Sequence, residues 1–96
     1  MKQVNLSEAS IIQPSPNQIS SDLSGEAVLL HLTSGTYFGL DEIGALVWTL
    51  IQEKPTSLQQ ICDAIVAEYD VTYEQCETDI RRLIGELITA DLVVVQ

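Results

Sequence analysis

The sequence has few basic residues, with 4 Lys and Arg against 14 Asp and Glu, which gives 96 residues a net charge of −10. A surface with this charge repels phosphate backbones and anionic lipid, and it attracts basic partners. DNA binding draws its affinity from several Lys or Arg that contact the backbone. The charge therefore argues against nucleic-acid and membrane partners. It leaves two interpretations open, namely solubility and the steering of a basic partner.

Histidine and cysteine are also scarce, with 1 His and 2 Cys. A Cys-His or Ser-His pair would depend on the lone His31, and the chain contains neither a phosphate-binding Gly-Lys-Ser/Thr loop nor a His-Glu-x-x-His motif. A structural zinc site needs more ligands than these residues supply. We therefore expect a protein that is not an enzyme and that uses no metal or other cofactor. Cys62 and Cys76 fall at apolar helical positions and are predicted to be reduced and half-buried.

Long apolar runs are absent too, since none approaches the roughly 18 residues of a transmembrane helix. Residues 1–5 contain no apolar core of signal-peptide length. These two observations lead us to expect a cytoplasmic protein. The hydrophobic content of 46% in 96 residues is that of one small folded domain.

Three strands are predicted after residue 17, at residues 19–23, 26–32 and 36–40, separated by Ser24-Gly25 and Thr33-Ser34-Gly35. The central segment is apolar on both faces, so the order in the sheet is first, second, third. Residues 1–17 contain scattered apolar residues interrupted by Pro14 and Pro16. We therefore predict a weakly ordered segment over 1–17 and a folded domain over 18–96.

Three helices are predicted after the strands. The first runs over 41–52 with Asp41 as its N-cap, the second begins at Thr56 or Ser57, and the third is capped by Thr72. Gly85 lies inside the third helix, where either the close approach of another backbone or simple tolerance would explain it. The apolar stripe of the third helix is wider than one packing partner requires, and it comprises Tyr73, Cys76, Ile80, Leu83, Ile84, Leu87 and Ile88. A short terminal strand is predicted over 92–95.

This order predicts an α+β fold, similar to a winged helix-turn-helix, with a three-stranded antiparallel sheet followed by three helices. A helix-turn-helix raises the alternative of a winged-helix transcription regulator. The third helix would then be the recognition helix, yet its cations, Arg81 and Arg82, lie among acidic residues. The third strand carries Tyr37 and Phe38 and lacks the Lys or Pro that protects an edge. Such an edge is either covered by its own chain or pairs with another chain, as in a module that binds an extended peptide.

The run from Gly35 to Trp48, Gly-Thr-Tyr-Phe-Gly-Leu-Asp-Glu-Ile-Gly-Ala-Leu-Val-Trp, resembles the signature G-x-Y/F-x-x-L-N-x-x-G-x-x-I/V-W of PqqD-like proteins. These are recognition elements for the precursors of ribosomally synthesised, modified peptides (RiPPs). The Leu58-x-x-Ile61 helix, the break at residues 69–71 and the final helix that leads into Leu92-Val93 are also similar to that family. The resemblance covers about residues 18–95. Asp41 departs from the Asn that is common there, and a helix N-cap accepts either residue.

The resemblance implies a domain that binds the leader segment of a precursor peptide. The leader would pair antiparallel with the third strand and lie against the third helix. The stand-alone size resembles the recognition proteins of lasso-peptide biosynthesis, which work with a separate leader peptidase and cyclase. A second possibility within the family is a chaperone of the pyrroloquinoline quinone (PQQ) pathway, which presents its precursor to a radical enzyme. The implied peptide-binding residues are Thr36, Tyr37, Phe38, Gly39 and Leu40 on the strand, and Cys76, Asp79, Ile80, Arg82, Leu83 and Leu87 on the helix.

Overall fold

The structure, a computed structural model, describes residues 6–96. Three helices pack with two antiparallel sheets whose strand orders are β5-β1-β6 and β2-β3-β4. The predicted α+β fold, with a three-stranded antiparallel sheet and three helices, is confirmed. The elements are β1 (Ile11–Pro14), β2 (Gln18–Asp22), β3 (Ala27–His31), β4 (Tyr37–Leu40), α1 (Glu42–Glu53), β5 (Thr56–Ser57), α2 (Leu58–Glu68), α3 (Tyr73–Thr89) and β6 (Val93–Val95).

The sheet β2-β3-β4 is the predicted meander, with β3 in the centre. Its two turns require left-handed backbone, which is found at Ser24 and Gly25 in the first turn and at Gly35 in the second. Ala27 and Leu29 are buried on the face of β3 that packs towards the helices. Their neighbours along the strand, Val28 and Leu30, face the other way and are only half-buried, as strand alternation dictates.

The second sheet corrects the prediction of a weakly ordered segment over 1–17 for residues 6–17, whereas residues 1–5 lie outside the described residues. Strand β1 lies between β5 and β6, and Ile12 is completely buried. Pro14 is the last residue of the strand, where a missing N–H does little harm, and the backbone N–H of Ser15 then donates to Leu92 O at 3.0 Å. Upstream, Gln59 N donates to Glu8 O at 3.1 Å. The N-terminal segment is therefore part of the folded body from residue 6 onwards.

Local capping sets the helix starts. Asp41 Oδ1 accepts from Gly44 N at 2.9 Å, and Ser57 forms a complete capping box with Gln60. Thr72 Oγ1 accepts from Gln75 N at 3.1 Å, but the Gln75 side chain donates to Asp79 instead of returning to the cap. Each predicted N-cap is thus found, with Ser57 rather than Thr56 at the start of α2. Thr56 lies in β5 and is buried.

One core joins the helices to both sheets and encloses the two cysteines. Cys62 and Cys76 are free thiols that are buried rather than half-buried, and burial raises the pKa of Cys62 to about 12. A Cβ added at Gly85 would meet nothing within 4 Å, so the structure supports tolerance and not a close backbone approach. No helix within residues 6–96 is long and apolar enough to cross a membrane.

Candidate functional site

The outer edge of β4 is open. Strand β4 pairs with β3 on one side, and no strand within residues 6–96 pairs with its other side. The N-terminal segment, which could have covered this edge, pairs through β1 with β5 and β6 instead. Among the described residues, the edge is therefore available for pairing with another chain.

The hydrogen-bond register fixes which backbone groups this edge presents. His31 N donates to Thr36 O at 2.9 Å, and the same register pairs Leu29 with Phe38 and Ala27 with Leu40. Because hydrogen-bonded and non-bonded pairs alternate along an antiparallel ladder, Phe38 and Leu40 direct their N–H and C=O groups towards β3, as Thr36 does its C=O. The N–H of Thr36 donates to Ser34 Oγ at 3.2 Å. The backbone groups of Tyr37 and Gly39 then point outwards. The open edge thus presents two donors and two acceptors.

The side chains of β4 alternate between the two faces of the sheet. Leu40 is buried in the core and Phe38 packs against it, both on the helix side. Tyr37 and Gly39 lie on the opposite face, where Tyr37 is 69% exposed. Thr36 is exposed just before the strand. Leu40 therefore holds the strand to the body rather than presenting a side chain to solvent.

A cleft of about 230 Å³ begins where β4 ends. Its walls are the first turn of α1 and the middle of α3, and its apolar part includes Ile43, Ile80 and Leu83. A smaller hollow of about 40 Å³ lies beside it and also contacts Ile43 and Ile80. Because Asp41 both follows Leu40 in the chain and lines the cleft, the open edge and the cleft form one continuous surface. The cleft is lined by Asp41, Ile43, Gly44, Asp79, Ile80, Arg82, Leu83 and Glu86.

The structure brings four of the six predicted helix residues to the cleft, namely Asp79, Ile80, Arg82 and Leu83. Cys76 lines the smaller hollow, and burial raises the pKa of its thiol. Leu87 is 1% exposed and lines neither cavity, because it lies on the part of α3 that faces the core. Its position identifies it as a residue that supports α3 from within.

Sequence reasoning missed the α1 side of the cleft. Asp41 was predicted only as the N-cap of α1, and Ile43 was not among the predicted peptide-binding residues. Gly44 allows the first turn of α1 to close onto the end of β4, since a Cβ there would lie 3.2 Å from the side chain of Leu40. Gly44, the last of the three glycines of the Gly35–Trp48 run, was the available signal for this contact. The remaining missed residue, Glu86, lies on α3 one turn beyond Arg82.

The first turn of α1 is held in place from α2. The Tyr69 hydroxyl donates to the Glu42 carboxylate at 2.8 Å, and this hydrogen bond raises the pKa of Tyr69. The contact links the end of α2 to the residue that precedes Ile43. This hydrogen bond to α2 helps to position the first turn of α1, which forms one wall of the cleft.

Carboxylates dominate the polar rim of the cleft. Arg82 lies 3.7 Å from Asp79, an exposed pair that contributes little to stability. Arg81 is paired with Glu77 at 2.9 Å and also donates to Leu6 O. The two arginines of α3 thus have anionic neighbours on the same helix, which leaves this face poorly suited to a phosphate backbone. Within residues 6–96, no group of three or more His, Cys, Asp or Glu side chains is placed to hold a metal ion.

Comparisons with known proteins identify relatives of this fold. Residues 26–93 match the family model described as "Coenzyme PQQ synthesis protein D (PqqD)". The chain is similar to the solved structure "TbiB1 in Complex with the TbiA(beta) Leader Peptide", with 40% identity over 84% of this chain and 93% of that chain and a TM-score of 0.80. It shares its fold with "Lasso peptide synthetase B1 complexed with the leader peptide", at 23% identity over 86% of this chain and 96% of that chain, with a TM-score of 0.77. The comparison with curated proteins gives no match.

Proposed function

Because the chain belongs to the PqqD family, we propose that it is a non-catalytic module that binds the leader segment of a ribosomally synthesised precursor peptide. The observation that carries this proposal is the open edge of β4, which runs directly into the apolar cleft between α1 and α3. The similarity to TbiB1, whose structure contains a leader peptide, supports it.

In the proposed mode the leader adds to β4 as an antiparallel strand. Its main chain bonds to the outward groups of Tyr37 and Gly39, which gives affinity without regard to side chains. Leader side chains on the helix side of the new strand enter the cleft and contact Ile80 and Leu83. Asp79 and Arg82 border the opening, where they select among charged leader residues. Thr36, Phe38, Leu40, Cys76 and Leu87 complete or support the same surface.

The proposed partners are a separate leader peptidase and a cyclase of lasso-peptide maturation, with the complex formed in the cytoplasm, where precursors are made. The shared fold with a lasso peptide synthetase B1 favours this assignment. The description of the matched family favours a second candidate, a PQQ-type chaperone that presents its precursor to a radical enzyme. The precursor encoded beside the gene separates the two, because only a lasso precursor would be cleaved and cyclised when combined with its neighbouring enzymes and this protein.

Leader binding is tested with Leu83→Asp. Leu83 is half-buried in the cleft, so a carboxylate there would lose solvation without gaining a partner. We expect binding of the fluorescently labelled leader of the adjacent precursor to weaken by at least about tenfold in anisotropy titrations. The matched control is Thr78→Asp, which adds the same charge at an exposed position of the same helix.

Circular dichroism of both variants shows whether the fold is kept. A folded Leu83→Asp protein that binds the leader as tightly as the wild type would place the peptide elsewhere. A wild-type protein that does not bind the leader would refute the proposed function itself.

A further inference from the structure

The face of the β2-β3-β4 sheet that points away from the helices is unusually apolar for so acidic a protein. The described residues contain four exposed large hydrophobic side chains, Ile19, Leu23, Leu32 and Tyr37, and all four belong to this sheet or its turns. Ile19, Leu30 and Tyr37 lie side by side across the three strands, because Leu30 pairs with both of its neighbours. Contiguous exposed apolar surface on a soluble domain marks a site of interaction.

Strand alternation places these residues on one face, which we call the outer sheet face and define by Ile19, Leu23, Val28, Leu30, Leu32 and Tyr37. Ala27 and Leu29, which alternate with Val28 and Leu30 along β3, point to the other face and are buried under the helices. Among the charged residues of β2, β3, β4 and their turns, only Glu26 lies on the outer sheet face. It is at the end of β3 that is next to the first turn. A chain with 14 acidic residues has therefore kept charge away from this surface.

We propose that the outer sheet face is the docking surface for the leader peptidase that acts on the bound precursor, and that the peptidase's matching surface is an apolar patch bordered by Lys or Arg. This inference rests on the proposed function. Tyr37 belongs both to the outer sheet face and to the edge where the leader would pair, so an enzyme on this face would lie next to the bound leader.

The charge balance selects this occupant over a second copy of the chain. Two copies meeting face to face would bring together two bodies of −10 each, which repel over the distance of an interface. A basic border on the enzyme would instead be attracted by the net charge of −10, and this attraction would speed association. The same charge disfavours an anionic membrane surface.

The test uses the double variant Ile19→Gln, Leu32→Gln. Both side chains are more than half-exposed, at 56% and 51%, so the variant should fold, and neither residue lies on β4. The control is Ala67→Gln, which introduces the same side chain at an exposed position of α2. The probe is the purified leader peptidase encoded with the precursor, and its affinity for each protein is measured with saturating leader present.

We expect the double variant to bind the peptidase at least about tenfold more weakly than the wild type and the control, because two apolar contacts at the interface are lost. Its affinity for the leader should stay within about twofold of the wild-type value. Equal peptidase affinity in the wild type and the double variant would overturn the proposal. So would wild-type dimers in sedimentation velocity that the double variant abolishes, since the outer sheet face would then join two copies. A wild-type protein that does not bind the leader would refute the proposed function instead.

Discussion

The register of β4 makes a sharp prediction about N-methylation of the leader. The open edge presents the backbone groups of Tyr37 and Gly39, so only the two leader residues opposite them should donate N–H groups to it. Methylating either N–H removes a donor and leaves a carbonyl of β4 unpaired. Each loss should cost about 1–3 kcal/mol, which is roughly 5-fold to 150-fold in affinity. The leader residue between these two should tolerate methylation.

The assay is a scan in which leader residues are N-methylated one at a time and each peptide is titrated by anisotropy. Hydrogen exchange supplies an independent readout on the protein. The amides of Tyr37 and Gly39 should slow when the leader is added, whereas those of Phe38 and Leu40 already bond to β3 and should change little. Uniform loss along the leader, or sensitive positions three to four residues apart, would refute strand addition and indicate a helical ligand.

Three further results are expected. A leader rich in Lys or Arg should associate more slowly as the salt concentration rises, because salt screens its attraction to the net charge of −10 on the protein. An association rate that does not change with salt in stopped-flow measurements would contradict electrostatic steering. Ile12→Ala should lower the free energy of unfolding by about 2–5 kcal/mol in urea melts, because Ile12 is fully buried in β1. A loss near zero would mean that β1 adds no stability. The hydrogen bond from His31 to the Asp91 carboxylate lowers the pKa of Asp91 below its ordinary value of 3.8. The stabilisation that this hydrogen bond gives should therefore be present above pH 3.8 and should be lost as the pH falls through the lowered pKa. The difference in melting temperature between wild type and Asp91→Asn should therefore shrink below pH 3.8, and a constant difference would refute this link.

Local signals made the meander and the helix starts predictable. Asp41 and Ser57 are caps whose partners lie three residues away, so the evidence for each is contained in a few neighbouring positions. The second sheet had no such signal. Strand β5 is two residues long, and Ile12 pairs with Val95, 83 positions further along the chain. Pairing between residues so far apart in the chain depends on how the whole domain packs, and a short stretch of sequence does not show that packing.

The candidate site was predictable on its strand side and only partly on its helix side. The third predicted strand carries Tyr37 and Phe38 and lacks the Lys or Pro that protects an edge, and this pointed to the open edge of β4. The stripe of α3 identified apolar residues but not which of them stay accessible, since that depends on where the first turn of α1 lies. Ile80 and Leu83 face that turn, whereas Leu87, one turn further on, is enclosed.

The central position of β1 affects the order in which the protein can fold during synthesis. The strand pairings of the meander all lie within residues 18–40, so their partners are made before the helices. Strand β1 is made first but must wait for Val93–Val95 before it gains its second neighbour. Until then Ile11 and Ile12 lack much of their cover, a state open to wrong pairings. Strand β1, although made before the meander, is therefore among the last of these elements to reach its native place, because it must wait for translation of Val93–Val95.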